Sequence, residues 1–182
     1  MIEVEVKAHV TNFEDVKDRL LEIGARQRKT EHQEDIYFNA PHRDFARTDE
    51  ALRIRKIPKK EGHEIILTYK GAKMDDKSKT RKEIEVIVEN VENTASILEN
   101  LGFNPVKTIK KDRIIYLLDK FIISLDKVYE VGNFVEIEKD LREGEDFQDS
   151  LDEIFKIYEK LGITDGFERR SYLEILELQK AI

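Results

Sequence analysis

Three short segments of this 182-residue chain alternate carboxylates with branched apolar residues: Glu3-Val4-Glu5-Val6, Glu83-Ile84-Glu85-Val86 and Val135-Glu136-Ile137-Glu138. Two is the side-chain period of a β-strand, in which alternate residues share a face. Each segment therefore has an apolar face and a face of paired acids. One such strand, alone, would be read as half-buried with its acids in water. Charged residues make up 39% of the chain, so any single E-x-E is most often a solvated face. Three in shared register say more: together they would make an oxygen-rich site for a hard cation.

Cations alternate in the same way. Arg53 and Arg55 flank Ile54, Lys70 ends the run Glu64-Ile66-Thr68-Lys70, and Arg81 shares a face with Glu83 and Glu85. Lys111 shares a face with Arg113, and Lys7 follows Glu3 and Glu5. If helices cover the Val/Ile faces from outside, the charged faces point inward. Glu3, Glu5, Glu83, Glu85, Asp126, Glu136 and Glu138 would then repel one another and lose hydration unless cations offset them. Arg forks and Lys point charges also bind phosphate. Carboxylates on one wall and cations on another fit a polyanion together with Mg²⁺ or Mn²⁺.

Around these strands the chain reads as mostly antiparallel β with a few helices, an α+β fold. Helical spacing of Phe13, Val16, Leu20 and Ile23 follows Asn12, and Gly24 ends that helix. A second helix spans 94–101 before Gly102; a third, marked by Leu151, Ile154, Tyr158 and Leu161, ends at Gly162. Strands are expected at 34–39, 51–57, 65–70, 81–89, 110–118, 121–129 and 134–139; residues 171–178 fit either strand or helix. The order E-x-E strand, helix, Ile/Tyr strand recurs at an offset of about 80 residues. Two half-repeats, about 1–80 and 81–182, each with about four strands, predict one domain: a closed, eight-stranded antiparallel barrel with pseudo-twofold symmetry and helices packed outside.

Composition removes several alternatives. The chain has no Cys, which excludes disulfides, thiolate metal sites and cysteine nucleophiles. Its four His lack zinc-motif spacing, and no phosphate-binding P-loop motif occurs. There is no apolar run long enough for a membrane span and no signal-peptide core, so a cytoplasmic protein without membrane contact is expected. A net charge of −7 disfavours nucleic acid as a partner. Tyr37, Tyr69 and Tyr116 read as packing residues.

Taken in order, Glu3-Val4-Glu5-Val6-Lys7, Leu52-Arg53-Ile54-Arg55, Thr68-Tyr69-Lys70-Gly71, Arg81-Lys82-Glu83-Ile84-Glu85, Lys111-Asp112-Arg113, Phe134-Val135-Glu136-Ile137-Glu138 and Arg170-Ser171-Tyr172 resemble the CYTH superfamily, the triphosphate tunnel metalloenzymes. His32-Gln33-Glu34-Asp35-Ile36-Tyr37-Phe38 further resembles its class IV adenylate cyclase branch. The resemblance implies that the barrel is a tunnel holding ATP or another triphosphate. It implies metal binding by Glu3, Glu5, Glu136 and Glu138, with Asp126 and Glu85 behind them. It implies phosphate binding by Lys7, Arg53, Arg55, Lys70, Lys111 and Arg113, with Arg81 and Arg170 in support. It leaves a homodimer open. The expected activity is that of an adenylate cyclase, in which the ribose 3′-hydroxyl of ATP attacks the α-phosphorus and pyrophosphate leaves; the alternatives are a triphosphatase, in which water attacks a terminal phosphorus, and a non-catalytic nucleotide or polyphosphate sensor. The polar stretch 72–80, between two tunnel strands, reads as a solvated hairpin or as a lid that orders on the bound polyanion.

Overall fold

A computed structural model describes residues 1–142 and 144–181. The chain runs β1 (Ile2–Val10), α1 (Glu14–Glu22), β2 (Arg26–Asn39), α2 (Phe45–Thr48), β3 (Ala51–Pro58), β4 (His63–Lys70), β5 (Arg81–Val88), α3 (Val91–Asn100), β6 (Asn104–Leu118), β7 (Phe121–Val128), β8 (Gly132–Leu141), α4 (Gln148–Lys160) and α5 (Tyr172–Lys180). The eight strands close into an antiparallel barrel in the order β1-β5-β4-β3-β2-β6-β7-β8. The expected barrel is therefore the observed one. Three details differ. β2 and β6 extend well beyond their expected starts and pair with each other along most of their length. The Phe45–Thr48 turn of helix has too little apolar periodicity to stand out in sequence. The ambiguous stretch after Arg170 is helix α5, entered through a capping box in which Ser171 and Glu174 satisfy each other's backbone N–H.

Period-two alternation sorts the strands' side chains into two environments. Outward, Val4, Val6, Ile123, Leu125, Val135 and Ile137 form the main core with Leu20 of α1 and Leu151, Ile154 and Tyr158 of α4. A second cluster joins Phe38, Leu52, Ile54 and Ile65 to Phe45 of α2 and Leu98 of α3. On β5 the outer Ile84 and Val86 stay 55% and 52% exposed, because α3 packs over β3 and β6 instead. Inward, the charged residues change to apolar ones toward one end. Tyr37, Ile109, Val128 and Phe134 cluster there with Tyr172 and Leu176 of α5, which stops that end of the barrel.

The seam at β1 is assembled from pieces. β5 pairs with β1 only at Ile2 and Glu3. Further along, the Lys79 amide donates to the Glu5 carbonyl at 2.8 Å, the Glu168 amide to the Lys7 carbonyl at 2.9 Å, and the His9 amide to the Gly166 carbonyl at 2.8 Å. Gly166 is required at that crossing: its φ is +76°, and a Cβ there would lie 2.9 Å from the His9 carbonyl oxygen. Segments 78–80 and 166–168 thus complete the wall that β5 leaves open. Residues 72–80 are consequently tied down: Lys73 pairs with Asp49, the Met74 amide donates to the Thr80 carbonyl, and Arg169 donates to the Ser78 carbonyl at 3.1 Å.

Helix α4 is pinned to the β1–β8 pair by one buried group. The Tyr158 hydroxyl lies 2.7 Å from the Val6 carbonyl and 2.8 Å from the Val135 carbonyl. Tyr158→Phe should cost roughly 1–3 kcal/mol of stability, the range for a buried acceptor left without its donor. Urea unfolding measures it; an unchanged midpoint would mean that these contacts contribute nothing net.

Candidate active site

The barrel encloses a cavity of about 170 Å³ lined by seven carboxylates, Glu3, Glu5, Glu83, Glu85, Glu136, Glu138 and Asp140, and seven cations, Arg53, Arg55, Lys70, Lys79, Arg81, Lys111 and Arg113. Strand register decides how they meet. Arg55 stands opposite Asp35, Lys70 opposite Glu83, Arg113 opposite Asp126, Lys7 opposite Glu136, and Arg81 opposite Glu3. Several of these become close ion pairs. Arg55 forks onto Asp35 at 2.6 and 2.8 Å, and Arg113 onto Asp126 at 2.6 and 2.6 Å while also reaching Glu136. Burial would raise the Asp35 and Asp126 carboxyls, but Arg55 and Arg53 hold the first low, and Arg113 and Lys111 the second. Both acids stay ionised.

The β1–β8 register breaks this rule at one place. Glu5 stands opposite Glu138, and Glu3 opposite Asp140. Oxygens of Glu3, Glu5 and Glu138 come within 4.8 Å of one another. Like charges directly opposite on a sheet repel. Burial, and then repulsion by Glu3, push the Glu138 carboxyl up to about 8; burial also raises Glu3, with Lys70 opposing at 2.5 Å. An all-oxygen set in which Glu3 and Glu138 resist ionising fits Mg²⁺ or Mn²⁺ in its donor chemistry.

Other cations inside the barrel are less closely paired. Arg53 approaches Asp35, Glu83 and Glu85 only at 3.6–3.9 Å, and its buried Nε has no hydrogen-bond partner. Lys111, buried between Asp126 and the Tyr172 ring, is lowered to about 8 by burial and then by Arg113. Lys7 is lowered to about 7 by burial and then by Lys79; its ammonium lies 4.1 Å from the Tyr172 ring centroid and donates to the Arg170 carbonyl. The two lysines are under-neutralised and Arg53 has a donor to spare, conditions under which an anion binds well.

Residues 1–172 match the CYTH domain. The chain belongs to the CYTH-domain family. It is 42% identical over 176 residues, 96% of its length and 98% of the relative's, to the Methanocaldococcus jannaschii protein named "Putative adenylate cyclase MJ0240". The structure of PH1819 from Pyrococcus horikoshii OT3 superposes with a TM-score of 0.88 at 40% identity, covering 98% of this chain and 99% of that one. HpAC1 from Hippeastrum, whose reported activity is dominantly that of a triphosphatase, shares the fold with a TM-score of 0.71 at 18% identity over 98% of this chain and 95% of that one.

Within this CYTH domain the expected residues fall into distinct roles of place. Glu3, Glu5 and Glu138 form the carboxylate trio. Glu136 is drawn toward Arg113 and Lys79, Asp126 is occupied by Arg113, Lys111 and the Tyr172 hydroxyl, and Glu85 sits at the rim bonded to Thr68. Arg53, Arg55, Lys70, Arg81, Lys111 and Arg113 line the cavity. Lys7 faces inward toward the stopped end against Phe134 and Tyr172. Arg170 is half-exposed and paired with Glu168. Asp35 and Asp140 do not stand out in the sequence, and Tyr37 packs as expected while also lining the cavity. Asp35 has only a faint signal: it alternates with Gln33 and Tyr37. Its role depends on register with Arg55, which no local pattern carries.

Two expectations follow. Arg55→Ala strands the buried Asp35 carboxylate and should cost about 3–5 kcal/mol of stability, whereas Arg53→Ala, breaking only longer contacts, should cost clearly less. Comparable losses in chemical denaturation would refute that division. Glu138 sets a pH dependence. Its folded-state value is raised, so its contribution is full below the usual 4.5 and is lost as pH climbs toward about 8. Without metal, the protein should lose stability across that window. Glu138→Gln, neutral at every pH, should remove most of the loss, as read from unfolding midpoints in chelator. A wild-type profile flat over that range would count against a protonated Glu138.

Proposed function

We propose that this protein is a metal-dependent enzyme that binds a triphosphate inside the barrel and, as an adenylate cyclase, converts ATP to cyclic AMP and pyrophosphate. The observation that carries the reading is the charge layout. In the carboxylate trio, Glu3 pairs with Lys70 and Glu5 with Lys79, while Glu138 has no ion-pair partner among the described residues, and Arg53, Arg81, Lys111 and Arg113 line the same small cavity. A divalent cation held by those carboxylates would supply Lewis-acid stabilisation of phosphate charge. The chain's own residues do the rest. Arg53 offers its unpartnered Nε, Lys111 and Arg113 offer positive charge near the stopped end, and the barrel walls limit water.

ATP is supported by a neighbouring pocket of about 290 Å³ lined by Phe38, Phe45, Leu52, Val106 and Leu173 and rimmed by the acids Asp44, Asp49, Glu50, Glu174 and Glu177, which shares Tyr37, Ala51, Arg81 and Ser171 with the cavity. A chamber with apolar walls and hydrogen-bond acceptors beside a phosphate cradle suits a nucleoside. The name of the Methanocaldococcus jannaschii relative points the same way. A second reading, hydrolysis of an inorganic or organic triphosphate, is favoured by the predominantly charged lining of the main cavity and by the activity described for HpAC1.

Incubation with ATP or inorganic triphosphate plus Mn²⁺, followed by resolution of the products, tests the choice. Cyclic AMP with pyrophosphate is the expected outcome; orthophosphate would establish the hydrolase, and binding without turnover would overturn both. Arg53→Ala should weaken triphosphate binding by about 1.5–3 kcal/mol, the value of a charge-assisted hydrogen bond. Equal calorimetric affinities for ATP and AMP would sink the phosphate cradle.

A further inference from the structure

One cation in the cavity is unlike the others. Arg53, Arg55, Lys70, Arg81, Lys111 and Arg113 all sit on strands, while Lys79 comes from the irregular segment before β5. A strand holds its side chain in place through the ladder on both sides. A loop residue is held only by its own few contacts and moves when one is replaced.

Lys79 is 7% exposed, and its contacts converge on the acidic wall. Its ammonium lies 2.6 Å from Glu5 and 3.7 Å from Glu136, and its amide donates to the carbonyl of the same Glu5. Glu5 is also a member of the carboxylate trio. The ammonium and a divalent cation would therefore draw on one carboxylate. Lys79 also repels Lys7 in the same enclosure.

We propose that Lys79 is a built-in counter-cation: it neutralises Glu5 while no metal is bound, competes with the divalent cation for that carboxylate, and is freed for the triphosphate once the metal arrives. This rests on the metal reading above. The physical reasoning is short. Buried acids without a cation are costly, so the empty barrel gains stability from Lys79. The same contact must be given up on metal binding, which lowers affinity for the metal alone. A released ammonium beside a polyanion recovers the loss. Metal and triphosphate binding are then positively coupled through one side chain, and the coupling is reciprocal.

The test is a Mn²⁺ titration of the full chain, by calorimetry or by the electron spin resonance of free Mn²⁺, with and without inorganic tripolyphosphate. Lys79→Gln should bind Mn²⁺ alone about tenfold more tightly than the wild type, within the usual range of site-to-site coupling. It should also lose most of the gain in Mn²⁺ affinity that tripolyphosphate gives the wild type. Should the glutamine variant fail to fold, Arg169→Ala serves. It removes the guanidinium that holds the Ser78 carbonyl, keeps the ammonium, and should tighten Mn²⁺ binding in the same direction. Mn²⁺ binding equally well to wild type and variant would overturn the role of Lys79 and leave the metal site standing. Failure of Mn²⁺ to bind either protein would overturn both.

Discussion

Ionised side chains inside a β-barrel are tolerable only where each finds its counter-charge, and strand register is what supplies the partner here. Asp35 meets Arg55, Asp126 meets Arg113, and Glu83 meets Lys70 because antiparallel pairing sets those positions opposite. By residue count the lining of the cavity balances, with seven acids and seven cations. It is not neutral in detail. The β1–β8 register puts Glu5 against Glu138, and the imbalance is met by proton uptake on Glu138 and by Lys79 on Glu5. A structure whose every interior charge was paired would have no use for a ligand. The mismatch is therefore the feature most directly tied to function.

The same reasoning explains the ends and the seam of the barrel. Toward α5, the inward residues turn from charged to apolar, so Phe134, Ile109 and Tyr37 pack under Tyr172 and Leu176 rather than admitting water. The aromatic ring of Tyr172 serves both environments: it packs in that cluster, its hydroxyl bonds to Asp126, and Lys7 and Lys111 lie against its face. At β1, two short segments replace a full strand partner. The wall beside the carboxylate trio is thus the part of the sheet with the fewest ladder bonds. The proposed exchange of the Lys79 ammonium for a metal ion would fall where rearrangement disturbs least.

Membership of the CYTH-domain family agrees with this chemistry, and the described residues include no helix long and apolar enough to cross a membrane. Two readings of the reaction share one cradle. They differ in which phosphorus is presented to a nucleophile and in whether the apolar side pocket is filled.

Much of the architecture was legible in sequence. Alternation of Glu3, Glu5 and Lys7, of Arg53 and Arg55, and of Glu136 and Glu138 specified strands with a charged face, since period two is a property of the local backbone. The recurrence at about 80 residues gave the strand number, and Gly24, Gly102 and Gly162 marked helix ends, each at positive φ. The lengths of β2 and β6 were not legible, because their outer parts carry no alternation and are held by one another. Nor was the pairing of charges. Glu3, Glu5, Glu136 and Glu138 look alike along the chain, yet Glu136 lies beside Arg113 while Glu138 lies beside two other acids. Asp126 had the composition of a ligand and became an arginine's partner. Sequence determined which residues face inward, a matter of local geometry; tertiary structure decided which of them meet, because register and closure join residues more than a hundred positions apart.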